Sequence, residues 1–187
     1  AGQQLQALAL CPGLCSLGGR CVDGRCQCVP PFAGVRCAGL AVQPAVWGEG
    51  FQLEDQNVWG GSAIRADDGR YHLFASVFEN STVLRWWESS IIIHATASTP
   101  GGPYRLLRVL LRGTGSKEAF DGGAVHNPHV VRLHSGRYVL YYIGLNCLRW
   151  GHTRERCESR QSIGLAWAWD PLGAWTRLAE PVLAPGL

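Results

Sequence analysis

The chain of 187 residues contains no methionine, and only one of its 17 basic residues is a lysine, Lys117. Charged residues make up 17% of it, and the formal net charge is only +3. The basic residues are scattered and form no stripe of the kind that binds nucleic acid. No apolar run approaches the roughly 20 residues that a membrane span needs. We therefore expect neither a nucleic-acid partner nor a membrane span.

The composition predicts a folded, secreted protein. Hydrophobic residues make up 47% of the chain, which argues against disorder. The first residue is Ala1, which fits a mature chain whose leader has been removed. Six of the eight cysteines lie within residues 11–37, and the other two are Cys147 and Cys157. So dense a cluster is typical of a disulfide framework made in an oxidising compartment, so we expect an extracellular location.

The cysteine cluster reads CPGLCSLGGRCVDGRCQCVPPFAGVRC, with the spacing C-x3-C-x5-C-x4-C-x-C-x8-C. Six cysteines alone allow 15 pairings. The spacing, together with Phe32-Ala33-Gly34 before the last cysteine, resembles an EGF-like module covering residues 1–39. The resemblance implies the disulfides Cys11–Cys21, Cys15–Cys26 and Cys28–Cys37. Such a module serves as a spacer or contact domain.

Metal sites are the alternative interpretation of this segment. Zinc is bound by similar cysteine spacings, but residues 1–71 contain no histidine, and six cysteines exceed one tetrahedral site. Calcium would need oxygen ligands, whereas LQALAL precedes the first cysteine. We therefore expect no metal and no other cofactor.

The rest of the chain contains a repeated layout. Trp59–Phe74 aligns with His126–Tyr141 at an offset of 67, and Ile91 onward aligns with Ser162 onward at an offset of 71. Each repeat has an apolar strand, a turn with glycine, an aromatic strand, a longer connection and a second hairpin with a Pro/Gly turn. About four strands per ~70 residues is the pattern of a propeller blade. The sequence predicts an all-β unit over 40–187, with blades at about 55–111 and 122–183.

The longer connections differ between the two repeats. Cys147 and Cys157 flank the second one, so we expect them to form a disulfide that closes it. Asn80-Ser81-Thr82 in the first connection is a glycosylation sequon, with an unmodified surface Asn80 as the alternative. Helical periodicity is nearly absent; only Ser116–Phe120 is expected to hold a turn of helix.

The hairpins DDGRYHLF, SGRYVLYY, ATASTPGGPY and LAWAWDPLGAW resemble those of the five-bladed propeller of arabinanase- and xylosidase-type glycoside hydrolases of family forty-three. The resemblance covers about residues 44–187 and implies an incomplete five-bladed propeller. An open pair of blades would leave a raw sheet edge. We therefore expect missing sequence or another chain to complete the ring, and self-assembly is a further possibility.

The chemistry of that family requires two carboxylates across the glycosidic bond. The resemblance places the base aspartate in an Asp-Pro dipeptide of the first blade, where this chain has Gly60-Gly61; the second blade has Asn127-Pro128. Neither Gly60 nor Asn127 exchanges a proton at neutral pH. The catalytic candidates are the nearest acids, Asp55, Glu88 and Asp121, for which turn formation or a solvated charge is the alternative.

Five residues at or near inner strands are the candidate carbohydrate contacts: Trp59, His94, His126, Asn127 and His129. The alternative is that they are polar groups paired within a propeller core. His126 and His129 could bind a metal, but residues three apart on a strand point to opposite faces, so we expect no metal there. The pair Trp86-Trp87 forms either an exposed sugar platform or a packed corner.

Two functional hypotheses follow. The first is a secreted glycoprotein with a catalytically degenerate propeller that binds carbohydrate or has a structural role in an extracellular coat, matrix or filament beside neighbouring protein chains. The alternative is an active glycoside hydrolase that acts on arabinose- or xylose-type polysaccharide with displaced carboxylates. Gly60, Asn127 and the neighbouring module favour the first, because a fold alone does not establish an activity.

Overall fold

The computed structural model describes residues 11–42, 44, 46, 48–79, 83–150 and 153–185. The chain divides into two compact units, Ala1–Val46 and Trp47–Leu187. Residues 40–46 thus group with the N-terminal unit, whereas the composition places the boundary at residue 39. The sequon at Asn80 lies outside the described residues.

The N-terminal unit is held by disulfides around very short strands. A 3₁₀ turn at Pro12–Leu17 precedes the hairpin of β1 (Gly19–Val22) and β2 (Arg25–Cys28), and β3 (Phe32–Ala33) pairs with β4 (Gly39–Leu40). The disulfides are those that the EGF-like resemblance implies: Cys11–Cys21, Cys15–Cys26 and Cys28–Cys37. Cys11, Cys15 and Cys37 form its buried centre, because so small a unit has few apolar side chains to bury.

The first four-stranded sheet of the second unit contains β5 (Asn57–Arg65), β6 (Tyr71–Phe78), β7 (Ser90–Ala97) and β8 (Arg105–Leu111), in that order. All neighbouring strands are antiparallel. The β5–β6 turn is tight because the Asp68 carboxylate accepts the Arg70 backbone N–H at 2.9 Å and Gly69 adopts a φ of +79°.

The second sheet has the same construction. It contains β9 (Ala124–Arg132), β10 (Tyr138–Leu145), β11 (Ser162–Ala168) and the short β12 (Thr176–Arg177), again in chain order and antiparallel. The repeat seen in the sequence is therefore present in the structure as two equivalent sheets. The all-β fold with two blades of a partial propeller is confirmed.

The two blades pack face to face through one hydrophobic core. Phe74 and Ile92 of the first blade pack with Val130, Leu140 and Tyr142 of the second, all at most 5% exposed. Hydrogen bonds cross the same interface: the Ser90 hydroxyl donates to the Val125 carbonyl at 2.6 Å. This interface fixes the position of β5 relative to β9.

The prediction of helix was wrong. The described part of the chain forms α1 (Trp86–Ser89), α2 (Cys147–Trp150) and α3 (Arg154–Glu158), all within the two longer connections. The segment Ser116–Phe120 is not helical, because the Asn146 amide donates to the carbonyls of Ser116, Lys117 and Ala119 that a helix would use. None of the helices in the described ranges is long and apolar enough to cross a membrane.

Candidate functional site at the inner strands

The first strand of each blade, β5 and β9, contains a bulge at the same place. In β5, Gly60 has no paired residue in β6. In β9, the two residues between His126 and His129 lie opposite a single residue of β10. Gly60 has a φ of +39° and Asn127 a φ of +50°, so both lie in the left-handed region. A bulge of this type redirects a side chain out of the strand's regular alternation.

The two bulges contact each other across the blade interface. A Cβ atom built on Gly60 would lie 2.6 Å from Oδ1 of Asn127. The Asn127 backbone N–H donates to the Ser76 hydroxyl at 2.8 Å, and the Val130 N–H donates to the Ser62 hydroxyl at 3.2 Å. The Asn127 amide therefore fills the space that a side chain at position 60 would need.

A cleft of about 410 Å³ opens beside these bulges. Its described lining combines apolar, aromatic and amide side chains with one cation: Trp59, Phe78, Val83, Leu84, Trp86, His126, Asn127, Arg154 and Gln161. Trp59 is 58% exposed, unusual for so large an apolar side chain. Its ring is therefore accessible as a stacking platform.

His126 lies in the wall of the cleft and is 6% exposed. Burial lowers its pKa to about 4, against the raising effect of a hydrogen bond to the Asn127 side chain. The ring of Trp86 meets the imidazole edge-on, with 4.7 Å between the centroids. His126 is therefore neutral at physiological pH and is held in place by its neighbours.

The longer connections complete the cleft. In the second connection the Cys147–Cys157 disulfide is formed, as expected, and its buried cysteines pack against Trp86 and Trp87. Both tryptophans therefore belong to the packed corner, and Trp86 also lines the cleft. Arg154 and Gln161 reach the cleft from this connection. The sequence analysis missed both, since nothing in their local pattern distinguishes them from other loop residues.

The acidic candidates lie elsewhere. Asp121 is 1% exposed and accepts hydrogen bonds from the Tyr142 hydroxyl at 2.8 Å and the Arg177 guanidinium at 3.0 Å. Glu88 pairs with Arg85 on the surface, and Asp55 sits in an exposed turn with a φ of +56°. None of them is among the described residues that line the cleft.

The other two histidine candidates are also separated from the cleft. His94 is fully buried; its Nε2 lies 2.8 Å from Nδ1 of His72, and His72 contacts the Asp68 carboxylate at 3.1 Å. Burial lowers the pKa of His94 to about 3, with further lowering from His72. His129 is exposed and is not among the described residues that line the cleft, whereas His126 is buried in its wall.

Cys11, Cys15 and Cys26 are the described group whose ligand atoms lie close enough to hold a metal ion. All three are disulfide-bonded, so they offer no free thiolate. The cleft itself combines a neutral imidazole, amides and aromatic rings. It can stack on and hydrogen-bond to a ligand, but its described lining holds no carboxylate pair for acid and base catalysis.

Comparison with solved structures identifies the fold. The second unit resembles the GH43_1 enzyme from Xanthomonas citri, with a TM-score of 0.53 and 15% identity over 70% of this chain and 34% of that one. The same enzyme complexed with xylotriose gives a TM-score of 0.52 at 15% identity and the same coverage. A structure from the GH130 family, which contains glycoside hydrolases that target β-1,2 mannosidic linkages in Candida mannan, gives 0.51 at 20% identity over 68% of this chain and 32% of that one.

The chain therefore has the fold of glycoside-hydrolase propellers, and it spans about a third of the length of these structures. No protein-family model and no curated protein matches the sequence. At such low identity, the likeness establishes the fold and not the activity.

Proposed function

We propose that this protein is a secreted glycoprotein whose propeller cleft binds carbohydrate without cleaving it. The proposal rests on the lining of one cleft. An exposed Trp59 and the Asn127 amide both line it, and its described lining contains no carboxylate. The fold likeness to glycoside hydrolases directs the choice of ligand towards sugars.

Trp59 supplies the apolar part of such a site. A pyranose or furanose ring presents C–H groups on one face, and these pack against an indole ring. Trp86 lines the same cleft, and its ring contacts the His126 ring edge-on. Binding sites for small molecules commonly combine such surfaces with a few placed polar groups.

Asn127, Gln161 and Arg154 supply the polar part. Amide groups donate and accept at once, which suits sugar hydroxyls, and a guanidinium offers donors only. The neutral His126 ring has an Nε2 without a hydrogen-bond partner among the described residues, and this nitrogen is the group that would accept from or donate to a sugar hydroxyl. His94 and His129 are not part of the proposed site, given their positions.

The lack of acid and base groups supports a degenerate site. Hydrolysis needs one group to protonate the leaving oxygen and another to activate water or attack. Asp121, the only fully buried acid among the sequence candidates, is committed to Tyr142 and Arg177. Its carboxylate stabilises the blade interior instead of facing a substrate.

The N-terminal unit supports an extracellular role. We propose that residues 1–39 form an EGF-like module, since the three disulfides have that pairing. Disulfides of this density persist in oxidising compartments, which favours secretion. In such a compartment Asn80 is open to glycosylation, and the module could contact neighbouring proteins of a coat, matrix or filament.

Calorimetric titration with xylo-, arabino- and galacto-oligosaccharides tests the proposal, together with reducing-sugar release by the same samples. We expect millimolar binding, no release, and about tenfold weaker binding by Trp59→Ala, equivalent to roughly 1.4 kcal/mol. Trp169→Ala is the matched control, because Trp169 is 60% exposed but does not line the cleft.

Release of reducing sugar by the wild type, abolished by Asp55→Asn, or by Asp121→Asn under conditions in which that variant is still folded by circular dichroism, would instead establish the alternative, a hydrolase with displaced carboxylates. Equal sugar affinity of the wild type and Trp59→Ala would show that this cleft is not the binding site.

A further inference from the structure

The cleft beside Trp59 has charge of one sign only in its described lining. Among the described residues that line it, Arg154 is the one charged side chain, and the others are apolar, aromatic or amide groups apart from His126. Burial lowers the pKa of His126 to about 4, so its imidazole contributes no charge at neutral pH. An arginine guanidinium stays protonated in proteins. This lining is therefore positive, and it holds no carboxylate that would repel an anion.

Positive charge is also concentrated in the connection that supplies Arg154. Residues 147–161 contain four arginines and two glutamates, a formal net charge of +2 with histidine neutral, whereas the whole chain carries +3. The corresponding connection of the first blade, residues 79–89, contains two glutamates and one arginine, a formal net charge of −1. Charge of one sign beside a cleft attracts ligands of the opposite sign. The second connection therefore favours the approach of an anion.

Two contacts orient the Arg154 guanidinium. Its Nε donates to the Glu158 carboxylate at 2.7 Å within α3, and its Cζ lies 5.8 Å from the centre of the Trp87 ring. Neither Glu158 nor Trp87 is among the described residues that line the cleft. Both side chains of the ion pair are partly exposed, so water screens the Glu158 charge. The two Nη groups have no hydrogen-bond partner among the described residues and are available to a ligand.

We infer that the cleft selects sugars that carry an anionic group, a uronic-acid carboxylate or a sulfate ester, and that Arg154 binds this group through its Nη atoms. The inference rests on the proposed function, because it names the class of sugar that the same cleft takes. Two N–H groups of a guanidinium match two oxygens of one such anion, and these charge-assisted hydrogen bonds are about twice as strong as neutral ones. A hydroxyl offers Arg154 only a single, weaker acceptor.

The rest of the cleft suits the uncharged part of such a sugar. Trp59 offers a stacking face, and the Asn127 amide and the unpartnered Nε2 of His126 offer hydrogen bonds to hydroxyls. An anion placed against these groups would lose water without gaining an opposite charge, which is costly. The anionic group therefore has its favourable position beside Arg154, and this fixes which end of the sugar faces the second connection.

Calorimetric titration with trigalacturonate and with neutral galactotriose of the same linkage tests the inference, because these two sugars differ only in the carboxylates. We expect trigalacturonate to bind about fivefold more tightly, as for a charge-assisted pair at a partly exposed site. Raising the salt from about 20 mM to about 200 mM should remove most of this difference by screening. A sulfated galacto-oligosaccharide and its desulfated form make the same comparison for the sulfate ester and show which anion is preferred.

Three variants, each checked for folding by urea unfolding, test whether Arg154 causes the preference. Arg154→Gln should lower the affinity for trigalacturonate about fivefold and that for galactotriose less than twofold. Arg154→Lys keeps the charge but loses the paired donors, so it should retain part of the preference. Arg156→Gln is the matched control, because Arg156 is exposed on the same helix and is not among the described residues that line the cleft.

Equal affinity for the charged and neutral members of both pairs of sugars would overturn the inference. A preference that Arg156→Gln lowers as much as Arg154→Gln would overturn it too, since the charge would then act diffusely. In both cases the neutral sugars still bind, so the proposed function stands. Binding of no sugar at all, charged or neutral, is the different result that would overturn the proposed function and this inference with it.

Discussion

The glycine at position 60 lies against the Asn127 side chain of the neighbouring blade, and substituting it has a calculable cost. In Gly60→Ala the new Cβ would lie 2.6 Å from the Asn127 Oδ1, well inside van der Waals contact. The φ of +39° adds backbone strain of about 1–2 kcal/mol for any residue with a Cβ. Relieving the overlap costs roughly a further 0.5–1.5 kcal/mol, because the atom in the way is the end of the exposed Asn127 side chain, which can move off its rotamer. The total, about 1.5–3.5 kcal/mol, is still a sizeable part of a normal folding stability of roughly 5–15 kcal/mol.

Two further variants separate strain from overlap. Gly69→Ala has a φ of +79° but nothing within 4 Å of its Cβ, so it reports strain alone. Asn127→Gly removes the amide, so the double variant Gly60→Ala/Asn127→Gly should lose only the strain. We expect a coupling of about 0.5–1.5 kcal/mol between the two sites, measured by urea unfolding of all four proteins of the cycle.

Additive effects of Gly60→Ala and Asn127→Gly, within about 0.3 kcal/mol, would refute the contact between the bulges. The same geometry bears on restoring the carboxylates: Gly60→Asp cannot be combined with an intact Asn127 side chain without displacing it. Gly60→Asp is therefore best tested both with Asn127→Gly, which removes the overlap, and with Asn127→Asp, in which the side chain at position 127 has to move.

Three further results are expected. Burial lowers the pKa of His94 to about 3 and that of His126 to about 4. The stability that their neutral forms contribute is therefore complete above about pH 6.5 and is lost as the pH falls towards those values. Urea midpoints that stay constant between pH 7 and pH 4 would contradict this. Replacing Cys147 and Cys157 by serine should lower the stability by about 2–3 kcal/mol and weaken sugar binding. Unchanged sugar affinity would show that the disulfide does not shape the cleft. Asp121→Asn should destabilise the protein by about 3 kcal/mol without altering sugar affinity, and normal stability would show that its ion pair is not structural.

The sequence predicted the blades because their signal is local. The Asp-Gly and Ser-Gly turns before Tyr71 and Tyr138 and the alternation that follows them both arise from short-range backbone preferences. The offset of 67 then placed Gly60 opposite Asn127, and the structure has the bulges at those two positions. A repeat predicts the relation between residues that are distant in sequence, because equivalent segments occupy equivalent positions in their blades.

The composition of the cleft could not be predicted in the same way. Arg154 and Gln161 reach it only because the Cys147–Cys157 disulfide and the packing of Trp86 fold the second connection back over the inner strands. His94 illustrates the opposite case: its inner-strand pattern suggested the site, but its side chain turns to the blade interface, where it stacks on Phe74 at 4.6 Å. Which face of a strand meets a cleft is decided by how blades pack, not by local sequence.

The most direct test of the central claim is an NMR titration of the ¹⁵N-labelled chain with xylotriose and with arabino- and galacto-oligosaccharides, followed over several days in the same tube. The account predicts fast-exchange shifts of the Trp59 indole and Asn127 side-chain amide signals with at least one of these sugars, while the anomeric signals of the sugar stay unchanged. New reducing-end signals would contradict the claim that the cleft does not cleave. The absence of any shift at Trp59 and Asn127 with every sugar would contradict the claim that the cleft binds them.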